Sequence, residues 1–364
     1  MTTQNSFMDR FAITRRSFVA GLAALGYVSS SRSVTASETK PPITERSGKR
    51  IDIHHHIVPE SYVKAMNAAG YGTIGGVPFP KWTPDTLEHS FDVLGISKAI
   101  LSISAPGIAV PDAGREKEIA REVNEYCATL MKDYGDKVGA FATIPMADMN
   151  AAISETGYAL DDLALNGICL FSNHNGRYLG DPELDEFMDY LNRRKAIVFI
   201  HPTLPLKEMW PNVSLDPPLV EFVFETTRAI SNMLYNGVLE RYRDIRFIAA
   251  HLGGTIPFVS WRMGLFEHSS RKEMVAFRER CPRPVEEYLA QLYYEVAVSC
   301  SPGNLQNVLS FVPDDHLLFG SDYPFAAQSF IDMNSANVAG SGVLNAAQIE
   351  KVNHLNAEAL FGLA

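Results

Sequence analysis

In Ile51-Asp52-Ile53-His54-His55-His56-Ile57 a short apolar run passes directly into three histidines. The run suits a buried β-strand, in which alternate side chains share a face. His54 and His56 then point one way and His55 the other. Two imidazoles on one face form two corners of a metal site, and neutral imidazole nitrogen suits zinc and similar ions.

Seven further short runs follow at Lys98–Ser102, Gly139–Thr143, Gly167–Leu170, Ala196–Ile200, Arg246–Ala250, Tyr293–Ala297 and His316–Phe319. With Arg50–Ile53 they make eight candidate strands. Several are almost continuously apolar, as parallel strands covered on both faces are. Helical patterns lie between them. Glu116–Tyr134 carries Ile119, Val123, Tyr126, Cys127 and Leu130 at helical spacing, and Pro182–Arg194 and Pro218–Asn236 are similar. This alternation predicts an α/β fold, a (β/α)8 TIM-like barrel, with a doubly wound open sheet as the competitor.

The polar residues at the strand ends decide for the barrel. His201 ends one run and precedes Pro202. His251 ends another and precedes Leu252-Gly253-Gly254, and Asp322 follows Phe319-Gly320-Ser321 after the last. In a barrel all strand C-termini converge on one mouth, where active sites lie. Four histidines and an aspartate are thereby brought to one space.

The bulk properties agree with an enzyme of this kind. The chain has 364 residues, of which 46% are hydrophobic and 20% charged, enough for a self-stabilising core. A net charge of −10 argues against nucleic acid as a partner. The four cysteines, Cys127, Cys169, Cys281 and Cys300, are widely spaced and read as buried thiols rather than metal ligands.

At the N-terminus, Arg15-Arg16 precedes a weakly apolar run from Phe18 to about Val28, and Val34-Thr35-Ala36 follows as a small-residue cleavage site. The run is shorter than the ~20 residues a membrane span needs, and it resembles the core of a twin-arginine signal peptide. Residues 1–36 are therefore expected to be an export signal, 37–48 a short leader and 49–364 one metal-dependent barrel domain, with the mature protein periplasmic and without a membrane span. Removing the signal leaves 28 basic and 41 acidic residues.

IDIHHH (51–56), FIHP (199–202), AAHLGG (249–254) and FGSDYPF (319–325) together resemble the amidohydrolase-related metalloenzymes of the decarboxylase branch, similar to aminocarboxymuconate semialdehyde decarboxylase. LSISAPG (101–107), NGRYLGDPELDEF (175–187) and LNRRKAIVFIHPT (191–203) look closest to 6-methylsalicylate decarboxylase-like members. The resemblance implies an amidohydrolase-type barrel with His54, His56, His201 and Asp322 as metal ligands. It implies His251 as the catalytic acid/base, with Asp322 or His251 able to orient water. It also implies a homodimer. No lysine stands where a carbamate bridging two metals would form, which favours a single divalent ion. The His-x-His start, where some members have Glu-x-His, puts zinc ahead of manganese or magnesium.

The activity implied is non-oxidative decarboxylation, a carboxy-lyase reaction on a small aromatic or enol-type carboxylic acid such as a hydroxybenzoate. A hydrolase of a lactone, amide or related bond would use the same ligands and is the alternative; a silent metal-binding protein is a third, against which His251 argues. Arg177 is a candidate clamp for the substrate carboxylate, since guanidinium pairs with carboxylate in bidentate fashion. Trp210 and Phe325 are candidate walls of an aromatic pocket. His174 reads as a loop residue, and His89, His268, His316 and His354 as solvated or structural histidines.

Overall fold

A computed structural model describes residues 49–363, apart from 75, 207–208 and 210–215. The expected signal segment and leader lie outside the described residues, as does Trp210. Eight parallel strands follow one another around a barrel: β1 (Arg50–His56), β2 (Ile96–Ser102), β3 (Val138–Thr143), β4 (Gly167–Phe171), β5 (Ile197–His201), β6 (Arg246–Ala249), β7 (Tyr293–Glu295) and β8 (Leu317–Leu318). All eight coincide with the runs read from the sequence.

The ends of the sheet meet through Ile53 N–H donating to Phe319 O, Asp322 N–H to His54 O and His56 N–H to Tyr323 O. A single parallel bridge joins His55 and Tyr323. This seam removes the free edges that an open sheet would leave unpaired.

Side chains alternate between two apolar clusters. Ile51, Ile53, Ile100, Phe141, Cys169, Phe199, Ile248 and Leu318 fill the barrel, closed below by Ala357 and Leu360 of the C-terminal helix Asn356–Phe361. Leu101, Ala140, Ile168, Val198 and Ile200 face outward against the helices. The helix expected over Glu116–Tyr134 spans Ala113–Tyr134 and buries Ile119, Val123, Cys127 and Leu130; Asp112 caps it by accepting from Gly114 N and Arg115 N. Such a cap is worth about 1 kcal/mol. The second expected helix is a 3-10 turn, Pro182–Leu184, leading into Asp185–Arg193, and the third is Pro218–Tyr235. Among the described residues no helix is long and apolar enough to cross a membrane.

All four cysteines are free and buried, as expected, and burial pushes the Cys127 thiol up to about 12. His316 stacks on Tyr293 at 4.2 Å and His354 is held between Glu350 and Glu358, both structural placements.

Candidate metal centre

The first strand does more than alternate. Ile51 and Ile53 both face the barrel interior, so strict alternation would have turned His55 inward next. The pairing of β1 with β2 shifts between Asp52 and His55: three residues on β1 advance against two on β2, from Ala99 to Leu101. This bulge re-aims the strand, as bulges beside active sites do. His54 turns inward behind Ile53, its ring 5.0 Å from that of the interior Phe199, and His56 follows it. His55 faces away, as expected. Its Nδ1 lies 2.9 Å from Asp52 Oδ2 and the ring packs 5.3 Å from Tyr323, in the seam. Asp52 also accepts from Ser321 N and Oγ and from His54 N, and so ties β1 to the loop carrying Asp322.

On β5 the parity is unbroken: Ile197 and Phe199 face inward and His201 completes the row. After β8, Asp322 adopts a left-handed conformation with φ 63°. One ligand atom from each of His54, His56, His201 and Asp322 falls within 4.8 Å of all the others. His54 Nε2 and His56 Nε2 are 2.9 Å apart, and Asp322 Oδ1 lies 3.3 and 3.1 Å from them.

The tautomers follow from the partners. His54 Nδ1 faces a carboxylate oxygen of Glu295 at 2.8 Å, His56 Nδ1 the Ser102 carbonyl at 3.3 Å, and His201 Nδ1 the Pro202 carbonyl at 2.7 Å. The Glu295 and Pro202 oxygens only accept, so His54 and His201 donate from Nδ1 and present an Nε2 lone pair to the common point; His56 Nδ1 can do the same toward the Ser102 carbonyl, with the Ser102 hydroxyl, able to donate or accept, at 3.2 Å. Two such lone pairs at 2.9 Å repel unless positive charge lies between them. His201 Nε2 is buried with no partner among the described residues, which costs about 1–3 kcal/mol if nothing satisfies it.

The electrostatics carry the same demand. Burial opposes a charge on His54, but the Glu295 and Asp322 carboxylates outweigh it and raise its pKa to about 10, so that in place of an ion a proton on Nε2 would supply the positive charge. Burial also opposes the charge on Asp322, yet His54, His251 and His56 keep its carboxyl well below the usual range. Burial pushes His56 and, further, His201 downward. The buried Glu295 carboxylate and the largely covered Asp322 carboxylate thus call for cationic charge among three imidazoles, which a divalent ion would supply. The donor set fits.

His251 lies on the same rim. Its Nε2 is 3.5 Å from Asp322 Oδ2, and its Nδ1 is buried without a partner among the described residues. It opens a run of four left-handed residues, with φ of 56°, 53°, 73° and 66° from His251 to Gly254. A Cβ on Gly254 would stand 2.1 Å from Val223 O, and one on Gly253 2.6 Å from the Tyr294 ring, so the two glycines of AAHLGG answer to both conformation and space.

His251 and Asp322 border a cavity of about 290 Å³ whose walls include Phe222, Val298, Phe325 and Phe330. Phe325, expected there, also packs edge-on to His56 at 5.4 Å. Arg177 is not brought to this cavity. It lies in a two-strand hairpin with His174, beside a separate, smaller cavity, and donates to Glu183 Oε2 and the Met146 carbonyl. His174, read as a loop residue, pairs across that hairpin with Arg177.

Glu295, at the end of β7, was not singled out from the sequence. It is fully buried and accepts from His54 Nδ1 and from the backbone N–H groups of His251 (2.5 Å) and Ala297 (2.6 Å). With His54 and His251 it forms a second group of metal-competent residues. Its oxygens are already taken by these donors, so it is committed to orienting rather than to ligating. A charged residue inside Tyr293-Tyr294-Glu295-Val296-Ala297, at a strand end like His201 and His251, is the signal that marks it.

A parallel barrel with a His-His-His-Asp set at its mouth defines a metal-dependent (β/α)8 enzyme. Residues 51–363 match the model of the family described as Amidohydrolase, and the chain belongs to that family. It is 32% identical over 297 residues to a decarboxylase of Aspergillus niger, covering 78% of this chain and 79% of that one. It is 31% identical over 286 residues to the 6-methylsalicylic acid decarboxylase of Penicillium expansum, covering 78% and 87%. Among solved structures, one described as amidohydrolase II superimposes with a TM-score of 0.79 at 28% identity, over 86% of this chain and all of the other. A dihydroxybenzoic acid decarboxylase of Polaromonas, solved with bound manganese and 2-nitroresorcinol, shares the fold with a TM-score of 0.70 at 19% identity, over 86% and 97%.

Proposed function

We propose that the protein is a metal-dependent non-oxidative decarboxylase of a small aromatic or enol-type hydroxy acid, of the hydroxybenzoate kind on which its relatives act. The observation that carries this is one juxtaposition: Asp322, one of the four residues whose ligand atoms converge, and His251, an imidazole with an unpartnered nitrogen, share the edge of one largely apolar cavity. His54, His56, His201 and Asp322 would hold a divalent ion, which would supply Lewis acidity toward the substrate's oxygens. The apolar walls seat the ring and exclude water. Loss of carbon dioxide leaves the bonding electron pair on the ring carbon, and His251 is placed to deliver the proton that carbon takes up. Atoms balance as carboxylate plus proton giving arene plus carbon dioxide. A panel of hydroxybenzoates and lactones, followed for carbon dioxide and for hydrolysis products, tests the reading: carbon dioxide release is expected, and hydrolysis alone overturns it in favour of a lactone or amide hydrolase.

We infer zinc as the ion, because three neutral imidazoles and one carboxylate make a nitrogen-rich donor set. The manganese in the Polaromonas enzyme makes that metal the first competitor. Elemental analysis is expected to find one equivalent per chain, since Glu295 is committed and, among the described residues, no lysine lines the cavity. Two equivalents, or none after supplementation, overturn the single-ion reading.

We propose further that residues 1–36 direct export and are removed. The support is the Arg15-Arg16 pair, the short apolar run and Val34-Thr35-Ala36. N-terminal sequencing of protein from its native host is expected to begin near Ser37; an intact Met1 in a cytoplasmic fraction overturns this.

A further inference from the structure

Glu295 does not line the mouth cavity, yet its carboxylate reaches both halves of the site. We propose that Glu295 is a positioning residue that couples ion binding to proton transfer: one oxygen sets the tautomer of His54 and anchors the backbone from which His251 projects. The inference rests on the ligand set assigned above.

The first half follows from donor and acceptor chemistry. Oε1 stands 2.8 Å from His54 Nδ1. A carboxylate cannot donate, so the ring carries its proton on Nδ1 and offers the Nε2 lone pair to the ion.

The second half follows from the backbone. The same Oε1 accepts the His251 N–H at 2.5 Å, at the first residue of the left-handed run. His251 and Leu252 pay a steric penalty in that conformation that glycine would not. A charge-assisted hydrogen bond at the start of the run offsets it and fixes where the imidazole begins. Oε2 is held in turn by Ala297 N–H at 2.6 Å, so the carboxylate cannot swing between its two tasks.

The segment that follows the neighbouring strand β8 is built around this group. A Cβ on Gly320 would stand 2.2 Å from Glu295 Oε2 and 2.9 Å from His54 Cβ. Gly320 has no unusual φ, so its glycine is required by space, and the space is that of the carboxylate.

Glu295→Gln tests the coupling with almost no change of shape. If the amide oxygen keeps the Oε1 place, its NH2 meets the Ala297 N–H donor. If the amide is reversed, NH2 meets the His251 N–H and forces His54 into the other tautomer. Either way the site loses order. Zinc affinity, measured by chelator competition on the purified protein, is expected to fall about 10- to 100-fold. Turnover at saturating zinc is expected to remain depressed by about 10-fold or more, because the His251 anchor is weakened independently of occupancy. Glu295→Asp, which keeps the charge but withdraws the carboxylate from His54 Nδ1 and His251 N–H by one methylene, is expected to show both losses and serves if Glu295→Gln does not fold. In the wild-type protein, 15N spectra of labelled histidine with zinc bound are expected to show His54 protonated at Nδ1.

Wild-type affinity in either variant overturns the inference, as does full turnover once zinc saturates, or ligation of zinc through His54 Nδ1. A wild-type protein that binds no zinc or manganese overturns the ligand set itself, and this inference with it, so the two failures are distinct.

Discussion

His54→Ala and His56→Ala are each expected to leave the protein without bound metal after dialysis, whereas His55→Ala retains it. The three residues are consecutive and all fully buried, so burial alone does not distinguish them. Direction does. His54 and His56 bring their Nε2 atoms to within 2.9 Å of one another and within 3.3 Å of Asp322, while His55 turns to Asp52 and Tyr323 on the far side of the strand. Removing either inward imidazole leaves three protein ligands and an opened shell, which weakens zinc strongly. It also leaves Asp322 with less cationic company in a buried place. Removing His55 costs a hydrogen bond and some packing, on the order of 1–3 kcal/mol, but Asp52 keeps its contacts with Ser321 and His54 N. Metal content of the three variants at equal protein concentration decides. Loss of metal from His55→Ala alone would show that the bulge in β1 does not turn His54 and His56 inward together.

His251→Asn is expected to keep the ion and lose about 10²- to 10⁴-fold in turnover, the usual scale for an acid–base group. That corresponds to about 3–5 kcal/mol in the barrier. Asparagine is the informative replacement because it tolerates a positive φ, which this position holds at 56°. The left-handed run and the bond to Glu295 can therefore persist while the imidazole is gone. Asp322 keeps His54 and His56 beside it, so the ligand set is complete without His251. Loss of metal in this variant would instead make His251 a ligand and remove the assignment of the proton to it.

The barrel was legible because its strands are buried on both faces and so appear as unbroken apolar runs, and because their polar residues stand where the runs stop. Phe199 and His201, two residues apart on β5, show how directly periodicity translates into direction. β1 shows the limit. Alternation counted within the histidines picks the pair that turns inward, but alternation counted from Ile51 and Ile53 picks His55. The bulge that reconciles them arises from pairing with β2, which no local pattern encodes. Glu295 escaped for a related reason: a glutamate in a strand has many uses, and only the approach of His54, His251 and Gly320 from three other segments of chain identifies this one. Arg177 has the chemistry of an anion clamp, but its position depends on a hairpin that brings Glu183 and the Met146 carbonyl to it. Composition carries no trace of that pairing.

The seam between β1 and the end of β8 has a bearing on the order of events during synthesis. Ser321 and His54, which it brings into contact, are 267 residues apart in the chain. A polypeptide still emerging from the ribosome holds the three histidine ligands long before it holds Asp322, and until then the barrel has an open edge beside them. The four converging ligand atoms of the candidate site come together only once Asp322 has been made and the seam has closed. Contacts spanning most of a sequence also form slowly. A nascent chain of this protein therefore passes through an interval in which its histidine-rich first strand is made while the segment that pairs with it along the seam is not.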